Sequence, residues 1–342
     1  MKETLSLIRR NIRNLSPYST ARDEYSGPLG IYLDANENPY GNLYNRYPDP
    51  HQRALRERLA QIKGTQPESI FLGGNGSDEA IDLAFRIFCE PQCDNALSIA
   101  PTYGMYRVAA AINAVEMREV PLREDFSLDV DALLSATDER SKLMFICSPN
   151  NPTGNSFPSE DIELLIRKFN GMVILDEAYI DFSDSASFLS RLPEFPNLII
   201  LHTLSKAWGM AGLRIGMAFA QPELVNVFAR VKYPYTVNVI TQQFVLDKLA
   251  VSVDSQISEI RSQRKYLEEQ LSAIPLIKRI FPSDANFLLI RVDNPRAVYN
   301  ELISKGIIVR DRSSMLACAG CLRITVGTPS ENKRLIEILS TM

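Results

Sequence analysis

Short apolar runs alternate with longer helical patterns along most of the chain. Seven of these runs predict β-strands, at Ile70–Leu72, Ala96–Ile99, Val115–Val120, Leu143–Cys147, Met172–Leu175, Leu198–Leu201 and Ile215–Phe219. Uninterrupted apolar runs are typical of parallel strands whose two faces are both covered by helices. Val115–Val120 is the polar exception, and we expect it at an edge of the sheet. The helical patterns between the strands supply the crossover connections that parallel strands need.

The C-terminal part of the chain mixes strands and helices on a smaller scale. The predicted elements are strands at Phe287–Val292, Ile307–Arg310 and Leu322–Thr325 and helices at Pro295–Lys305 and Ser330–Ser340. A helical pattern from about Thr241 to Ile274 is predicted to bridge the two parts. We expect an N-terminal arm at 1–28, a large domain at 29–245 and a small α+β domain at 246–342, which part of the N-terminal segment joins.

Composition narrows the class of protein. The 342 residues are 45% hydrophobic and 23% charged, an ordinary globular mixture. The formal net charge is −4 and no basic run occurs, so a nucleic-acid partner is not expected. No apolar stretch is long enough to span a bilayer, and the N-terminus lacks the apolar region of a signal peptide. We expect a cytoplasmic protein that binds small molecules or a second copy of itself.

The cysteines favour a reducing compartment, because their number is odd and they are scattered. They are Cys89, Cys93, Cys147, Cys318 and Cys321. Cys318 and Cys321 form a single CxxC motif in an apolar stretch. A zinc site would need a second pair or nearby histidines, and the sequence has neither. We therefore predict buried thiols at this motif and no metal site.

Ligands of open α/β sheets bind beyond the carboxyl ends of the strands, so the residues after each predicted strand are the candidates. The first strand is followed by GGNGSDEA, in which three glycines, Gly73, Gly74 and Gly76, allow a tight turn. Ser77 is predicted to cap the helix that follows. A glycine-rich turn that leads into a helix offers backbone N–H groups to an anion. The alternative is an ordinary capped helix.

The next candidates are Asn151, in SPNNPTG after Leu143–Cys147, and Asp176, directly after Met172–Leu175. A carboxylate at the edge of a cleft costs free energy unless it is paired, and a pyridinium N–H is a suitable partner. Asn151 could direct its amide into the same pocket. The alternatives are a simple turn for Asn151 and a helix N-cap for Asp176.

Lys206 follows the strand Leu198–Leu201 and lies among small and apolar residues. Most lysines are solvated surface charges. A partly dry site would lower the pKa of Lys206 and make its amine nucleophilic, the condition for imine formation. Arg214 lies close enough along the chain to bind a phosphate at the same site.

These residues carry a resemblance to a known family. TLSKAWGMAG, Thr203–Gly212, resembles the lysine signature of class II pyridoxal-5′-phosphate (PLP) dependent aminotransferases of fold type I. Nearly the whole chain is similar to the histidinol-phosphate aminotransferases within that group. The similar segments are LDANENPYG, NRYPDP, PTYGMY, NNPTG, LDEAYIDF, TLSKAWGMAGLRIG and LRITVGT. The resemblance implies an α/β fold, with a large domain built on a mostly parallel seven-stranded sheet between helices and a smaller α+β domain.

The resemblance also implies roles at the reacting centre. Lys206 would carry PLP as a Schiff base and move a proton between the substrate Cα and the cofactor C4′. Asp176 would keep the pyridine nitrogen protonated, so that the ring accepts electrons. Tyr179 and Asn151 would hydrogen-bond the phenolic O3′, and Tyr103 would stack on the ring.

The cofactor phosphate and the second subunit follow from the same resemblance. The residues implied as phosphate ligands are Ser77, Asp78, Ser205 and Arg214. Tyr47 would reach the cofactor phosphate of the partner subunit, so the active sites would be shared within a homodimer.

The implied substrate pocket contains Arg323 and Arg310, together with Asn151. Two arginines suit a phosphate monoester on one substrate and a carboxylate on the other. Arg310 could instead be a surface charge at a strand end. Tyr18 would close over the substrate.

The function implied is amino transfer between L-histidinol phosphate and 2-oxoglutarate (with glutamate as the other product) in histidine biosynthesis. The alternatives on the same scaffold are a threonine-phosphate decarboxylase and an aromatic amino-acid aminotransferase. A PLP-binding regulator would need a DNA-binding module, for which the chain has no basic helix-turn-helix segment. An α/β enzyme without PLP is the remaining alternative.

Overall fold

A computed structural model of the chain describes residues 4–20, 30–41 and 44–342. Seven strands form the larger sheet. They are β1 Ile70–Gly76, β2 Asn95–Ala100, β3 Glu116–Pro121, β4 Ser141–Cys147, β5 Met172–Asp176, β6 Leu198–Thr203 and β7 Gly216–Phe219. Four more strands form the smaller sheet. They are β8 Ile277–Ile280, β9 Phe287–Val292, β10 Arg310–Asp311 and β11 Cys321–Thr325.

The described residues contain α-helices on both sides of the larger sheet and around the smaller one. They are α1 Arg10–Arg13, α2 Arg53–Lys63, α3 Ser77–Phe88, α4 Met105–Ile112, α5 Val130–Ser135, α6 Ser159–Lys168, α7 Pro222–Val231, α8 Val239–Lys248, α9 Asp254–Ser272, α10 Pro295–Ser304 and α11 Pro329–Leu339. No helix in the described part of the chain is both long and apolar enough to cross a membrane.

The larger sheet has the strand order β1-β7-β6-β5-β4-β2-β3. Strands β2 to β6 run parallel to their neighbours in that set. Strand β7 is antiparallel to both β1 and β6. The more polar strand β3 lies at an edge, as its sequence predicted. The carboxyl ends of the parallel strands β4, β5 and β6 therefore lie side by side, on the same side of the sheet.

Alternate residues of each central strand enter two different cores. In β5, Val173 and Leu175 pack into the core on one face, and Met172 and Ile174 pack into the core on the other. Helices cover both faces, so neither set of side chains meets water. This double burial explains why the strands read as uninterrupted apolar runs, and the predicted α/β fold is confirmed.

The smaller sheet is antiparallel in the order β10-β11-β9-β8. One face packs against α9, α10 and α11. The other face contributes Leu289 and Cys321 to a core of the larger sheet. The two sheets thus share a packed boundary, while the division at 245/246 stays a prediction.

Two predicted elements have different bounds in the structure and one strand was missed. The strand predicted at Ile307–Arg310 pairs only from Arg310 onward, because Ile307 N first bonds back to Leu302 O at 2.8 Å to close the preceding helix. The bridging pattern is not one helix but two, α8 and α9, since Ser252 and Asp254 bond each other and start the second helix. Strand β8 was not predicted, because it lies at an edge and exposes Lys278 and Arg279.

The described part of the predicted N-terminal arm lies partly on the larger sheet. Ile8 is buried in the core that contains α3 and α7, and Arg9 forms an ion pair with Glu90 at 3.0 Å. Residues 21–29, which include the end of the predicted arm at 28, lie outside the described residues.

Candidate active site

A cavity of about 390 Å³ opens where β4, β5 and β6 end. Eleven of the residues selected from the sequence line it, together with Arg312. They are Ser77, Asp78, Tyr103, Asn151, Asp176, Tyr179, Ser205, Lys206, Arg214, Arg310 and Arg323. The residues that follow β2, β4, β5 and β6 converge because parallel strands place their carboxyl ends on the same side. Arg310, Arg312 and Arg323 reach the cavity from the smaller sheet and the residue after β10.

Asp176 is the last residue of β5 and is buried. Its Oδ2 accepts a hydrogen bond of 2.6 Å from the Tyr106 hydroxyl, and its Oδ1 accepts one of 3.0 Å from Ala178 N. Neither donor is a cation, and no ion pair joins Asp176 to another described residue. Burial raises the pKa of this carboxyl above its ordinary value. The site therefore favours a cationic group of a ligand next to Asp176.

Lys206 lies in the loop that joins β6 to β7. Backbone hydrogen bonds from Leu204 N to Ile215 O and from Met210 N to Leu204 O hold this loop in a compact form. The Lys206 amine lies 5.4 Å from the centre of the Tyr179 ring. Burial, and then the positive charge of Arg323, lower the pKa of Lys206. The amine is thus more easily deprotonated than that of a surface lysine, and the neutral form is the nucleophile.

Arg214 and the start of α3 form an anion-binding corner. Arg214 has a φ of 56°, which is uncommon for a residue with a side chain, and its carbonyl accepts a 2.8 Å hydrogen bond from Gly76 N. A Cβ at Gly76 would lie 2.9 Å from Arg214 Nη2, and one at Gly216 only 2.1 Å from Ser77 N. Glycine at both positions therefore lets the guanidinium and the helix N-terminus face the same space.

The predicted turn and cap at this corner need correction. Gly73 and Gly74 lie within β1, and only Gly76 among these three glycines has a positive φ. The helix begins at Ser77 with Gly76 as its N-cap, and no side-chain cap bond is present. Ser77 is left as a cavity residue instead of a capping residue.

Polar contacts cross the cavity from several elements. Tyr103 donates from its hydroxyl to Asp78 Oδ1 at 3.0 Å. Asn151 Nδ2 donates to the Tyr179 hydroxyl at 3.4 Å, and Asn151 Oδ1 accepts from Arg323 Nη1. The amide of Asn151 therefore links the loop after β4 to the smaller sheet.

Three arginines in or directly after strands of the smaller sheet line the same cavity. Arg310 lies opposite Arg323 in the pairing of β10 with β11, and Arg312 follows two residues later. The Nε atoms of Arg312 and Arg323 are buried without a hydrogen-bond partner in the described chain. None of the three forms an ion pair with a carboxylate among residues 4–20, 30–41 and 44–342. This side of the cavity is therefore suited to binding anions.

Sequence reasoning missed two residues of the site. Arg312 could have been found from the spacing in RDRS, because residues two apart in an extended segment share a side. Tyr106 follows Tyr103 by three residues across the start of α4, and the two rings lie edge to face with centres 5.6 Å apart. Only the structure shows that Tyr106 contacts Asp176.

Two predicted residues lie outside the cavity of their own chain. Tyr18 is 78% exposed and borders a separate cavity that also contains Lys232. Tyr47 stacks on Tyr235, with ring centres 4.5 Å apart. The structure of one chain thus does not bring either residue to Lys206, and their roles stay predictions.

Residues 33–339 match the family described as Aminotransferase class I and II. Histidinol-phosphate aminotransferase of Parabacteroides distasonis is 53% identical to this chain, covering 100% of the chain and 99% of that protein. The protein of that name from Cytophaga hutchinsonii is 50% identical, covering 98% of each. The similarity therefore extends over the complete length of these relatives.

Solved structures share the fold at lower identity. Histidinol-phosphate aminotransferase from Clostridium acetobutylicum superposes with a TM-score of 0.79 at 24% identity, covering 86% of this chain and 90% of that one. The Sinorhizobium meliloti enzyme in complex with pyridoxal-5′-phosphate gives 0.78 at 24%, covering 86% and 82%. L-threonine-O-3-phosphate decarboxylase from Porphyromonas gingivalis gives 0.70 at 22%, covering 86% and 90%.

Proposed function

We propose that this chain, which belongs to the class I and II aminotransferase family, transfers an amino group between L-histidinol phosphate and 2-oxoglutarate. The observation that carries this proposal is one cavity in which Lys206 and Asp176 meet three arginines that have no carboxylate partner among the described residues. Relatives of that name, about half identical over their full length, support it. The activity belongs to histidine biosynthesis, and the unpaired cysteines favour a cytoplasmic location.

The cavity fits PLP, the cofactor of this family. Asp176 is a buried carboxylate without a cationic partner among the described residues, as a pyridine N–H requires. Gly76 and Gly216 leave open a corner between Arg214 and the start of α3, as a phosphate requires. When bound, PLP supplies an electron-accepting ring that stabilises negative charge on the substrate carbon that loses its proton.

Different residues of the chain bind different parts of the cofactor. Asp176 holds the pyridine nitrogen, Tyr179 and Asn151 hydrogen-bond O3′, and Tyr103 lies against the ring. The proposed phosphate ligands are Ser77, Asp78, Ser205 and Arg214. Ser77 and Asp78 act mainly through the backbone N–H groups at the start of α3.

Lys206 is the proton carrier of the site. Its lowered pKa increases the share of neutral amine, which can take a proton from the substrate Cα and return it at the cofactor C4′. The described residues that line the cavity contain no other amine, and the neighbouring guanidinium groups stay protonated. Proton movement therefore depends on this one side chain.

The arginines recognise both substrates. Arg323 presents its guanidinium beside Asn151 and binds a carboxylate of glutamate or 2-oxoglutarate. Arg310 and Arg312 add positive charge for the phosphate monoester of histidinol phosphate, and Tyr18 closes over the bound substrate. The guanidinium wall favours anionic groups over neutral aromatic side chains, so an aromatic amino-acid aminotransferase is the weaker alternative.

Arg323→Ala is expected to weaken the binding of both substrates and to leave cofactor binding unchanged. Losing a charge-assisted, partly buried contact costs about 3 kcal/mol, on the order of 100-fold in kcat/KM. The measurements are steady-state kinetics with glutamate and the visible absorbance of bound PLP. Arg334→Ala, at an exposed helix position, is the matched control. A variant that kept the parent KM for glutamate would remove Arg323 from this role.

A homodimer with shared active sites explains the exposed aromatic residues near the N-terminus. Tyr44, Tyr47 and Ile240 line one surface groove of about 400 Å³, and Tyr40 is 92% exposed. We assign this groove to a second copy of the chain, whose cofactor phosphate Tyr47 reaches.

Ile240→Glu is expected to weaken the dimer by about 2 kcal/mol, roughly 30-fold in its dissociation constant, because it places a charge in an apolar interface. Sedimentation velocity over a concentration series measures the effect. Leu164→Glu, on exposed surface of α6, is the control. If Ile240→Glu associates as tightly as the parent, this groove is not the interface.

A panel of three substrates tests the proposed function. Purified protein loaded with PLP should form glutamate from 2-oxoglutarate fastest with histidinol phosphate and slowest with phenylalanine. O-phosphothreonine is the decisive competitor, because the same arginines would bind its phosphate and the decarboxylase from Porphyromonas gingivalis shares the fold. Carbon dioxide release from O-phosphothreonine, without glutamate formation from histidinol phosphate, would reverse the assignment.

A further inference from the structure

Two thiols lie at the ends of a four-residue turn between β10 and β11. Cys318 and Cys321 are both buried and free. The turn is closed by a 2.9 Å hydrogen bond from Cys321 N to Cys318 O, and Gly320 within it has a φ of 75°. The end residues of such a turn have Cα atoms less than about 7 Å apart, a separation that suits a disulfide. The backbone thus already holds the two thiols in range of each other.

Arg291 gives this turn a positive environment. It lies opposite Cys321 in the pairing of β9 with β11, and its Nη2 donates to Ala317 O at 3.1 Å. Its Nε is buried without a partner in the described chain, and no ion pair with a described carboxylate neutralises it. A guanidinium beside a thiol stabilises the thiolate.

The two thiols are therefore unequal. The neighbouring Cys318 thiol and then Arg291 lower the pKa of Cys321 below its ordinary value. Its interaction with Cys321, followed by burial, raises the pKa of Cys318. Burial also raises the pKa of Cys89 and of Cys147. Among these four buried thiols, Cys321 is the one whose pKa is lowered.

We propose that Cys318 and Cys321 form a reversible dithiol–disulfide site. The Cys321 thiolate attacks one sulfur of a small-molecule disulfide, whose S–S bond breaks and releases one thiolate. Cys318 then attacks Cys321 Sγ in the mixed disulfide, gives its proton to the solvent, and displaces the second small-molecule thiolate. Two protein thiols are oxidised and one small-molecule disulfide is reduced to two thiols, so electrons and protons balance.

The turn lies at the surface although its sulfur atoms are covered. Ala317 and Ala319, on either side of Cys318, are exposed, and Gly320 is half-buried. Cys318 thus lies between two exposed residues of the chain. A local displacement of the turn is therefore sufficient for a reagent to reach Cys321.

Oxidation of the turn is expected to change the positions of Arg312 and Arg323, which line the anion-binding side of the cavity. Arg312 N donates a 2.9 Å hydrogen bond to Cys321 O, and Arg323 lies two residues beyond Cys321 on the same strand. Forming an S–S bond of about 2 Å shifts the turn and with it these two guanidinium groups. This coupling rests on the proposed function, because it assumes that the arginines bind substrate, whereas the thiol chemistry does not.

The experiment equilibrates the PLP-loaded protein with graded ratios of reduced to oxidised glutathione. Remaining thiols are then alkylated and located by peptide mass spectrometry. We expect Cys318 and Cys321 to be lost together and recovered with dithiothreitol, while Cys89 and Cys147 stay reduced. Two thiols that remain fully reduced at the most oxidising ratio, or that are lost independently of each other, would overturn the site. This measurement does not depend on whether the protein turns over any substrate.

Single variants separate the two steps. On the peptide that contains the turn, Cys318→Ser should stop at a mixed disulfide between Cys321 and one glutathione. Cys321→Ser should gain no glutathione on that peptide, because the pKa of Cys318 is raised. Cys93→Ser, at an exposed cysteine, is the control and should behave like the parent. Absence of the adduct on Cys318→Ser would overturn the assignment of Cys321 as the attacking thiol.

Kinetics test the coupling to the arginines. Oxidation should raise the KM for glutamate by at least about twofold in the parent and in Cys93→Ser. The double variant Cys318→Ser, Cys321→Ser should show no change under the same oxidising conditions. An unchanged KM in an oxidised parent that still turns over would overturn the coupling and leave the disulfide site established.

Discussion

Replacing Lys206 with alanine is expected to abolish amino transfer and leave the fold intact. The loss should reach about 10⁴-fold, the upper end of what a positioned acid–base group contributes. Lys206 is the one amine among the described residues of the cavity wall, and Arg214, Arg312 and Arg323 cannot accept a proton at neutral pH. The folded state lowers the pKa of Lys206 through burial, so removing this amine should not lower the melting temperature.

Three measurements on Lys206→Ala separate chemistry from folding. A coupled assay follows glutamate formation, circular dichroism follows thermal unfolding, and added primary amines should restore part of the lost turnover by replacing the missing base. Lys168→Ala, at the exposed end of α6, is the matched control and should match the parent in all three. Turnover close to that of the parent in Lys206→Ala would show that another group moves the proton.

Asp176→Asn is expected to reduce kcat by about 10²–10³-fold, the usual effect of removing one preorganised electrostatic contact. Asparagine has nearly the same shape and can still accept the hydrogen bond from Tyr106. It carries no charge, so it cannot stabilise a cation at the pyridine nitrogen. The loss should therefore appear in kcat and in the visible spectrum of bound PLP, while the fold is kept.

The same variant has a pH signature in protein without cofactor. Burial raises the folded-state pKa of Asp176 above its ordinary value of 3.8. For an acid, a raised pKa means that the stabilising contribution is present below the unfolded pKa and is lost as pH rises through the folded pKa. The parent should thus lose unfolding free energy relative to Asp176→Asn over that range.

Thermal unfolding of cofactor-free parent and variant across pH measures the difference. Asp131→Asn, at an exposed position on α5, is the control and should follow the parent. Parallel curves for the parent and Asp176→Asn would mean that the carboxyl of Asp176 is not held in an unfavourable charged state.

Much of the site could be predicted because its residues lie next to strong local patterns. Lys206 and Asp176 each follow an apolar strand, and residues after neighbouring parallel strands must converge. Ser77 was placed correctly at the start of a helix but was wrong as its cap, since the chain turns at Gly76 instead. The strand predicted at Ile307–Arg310 begins only at Arg310, because Ile307 N closes the preceding helix and Val309 packs into the smaller core.

The sequence by itself determined the local elements, the order in which they occur and the chemical groups that follow each strand. Periodicity and turn residues act over a few positions, so one chain is enough to read them. Only the tertiary structure decided which distant groups meet. Tyr106 donates a hydrogen bond to Asp176, 70 residues away in the sequence, and Arg323 donates one to Asn151, 172 residues away. Such contacts depend on how sheets and helices pack, because burial and pairing are properties of the assembled core and not of any segment.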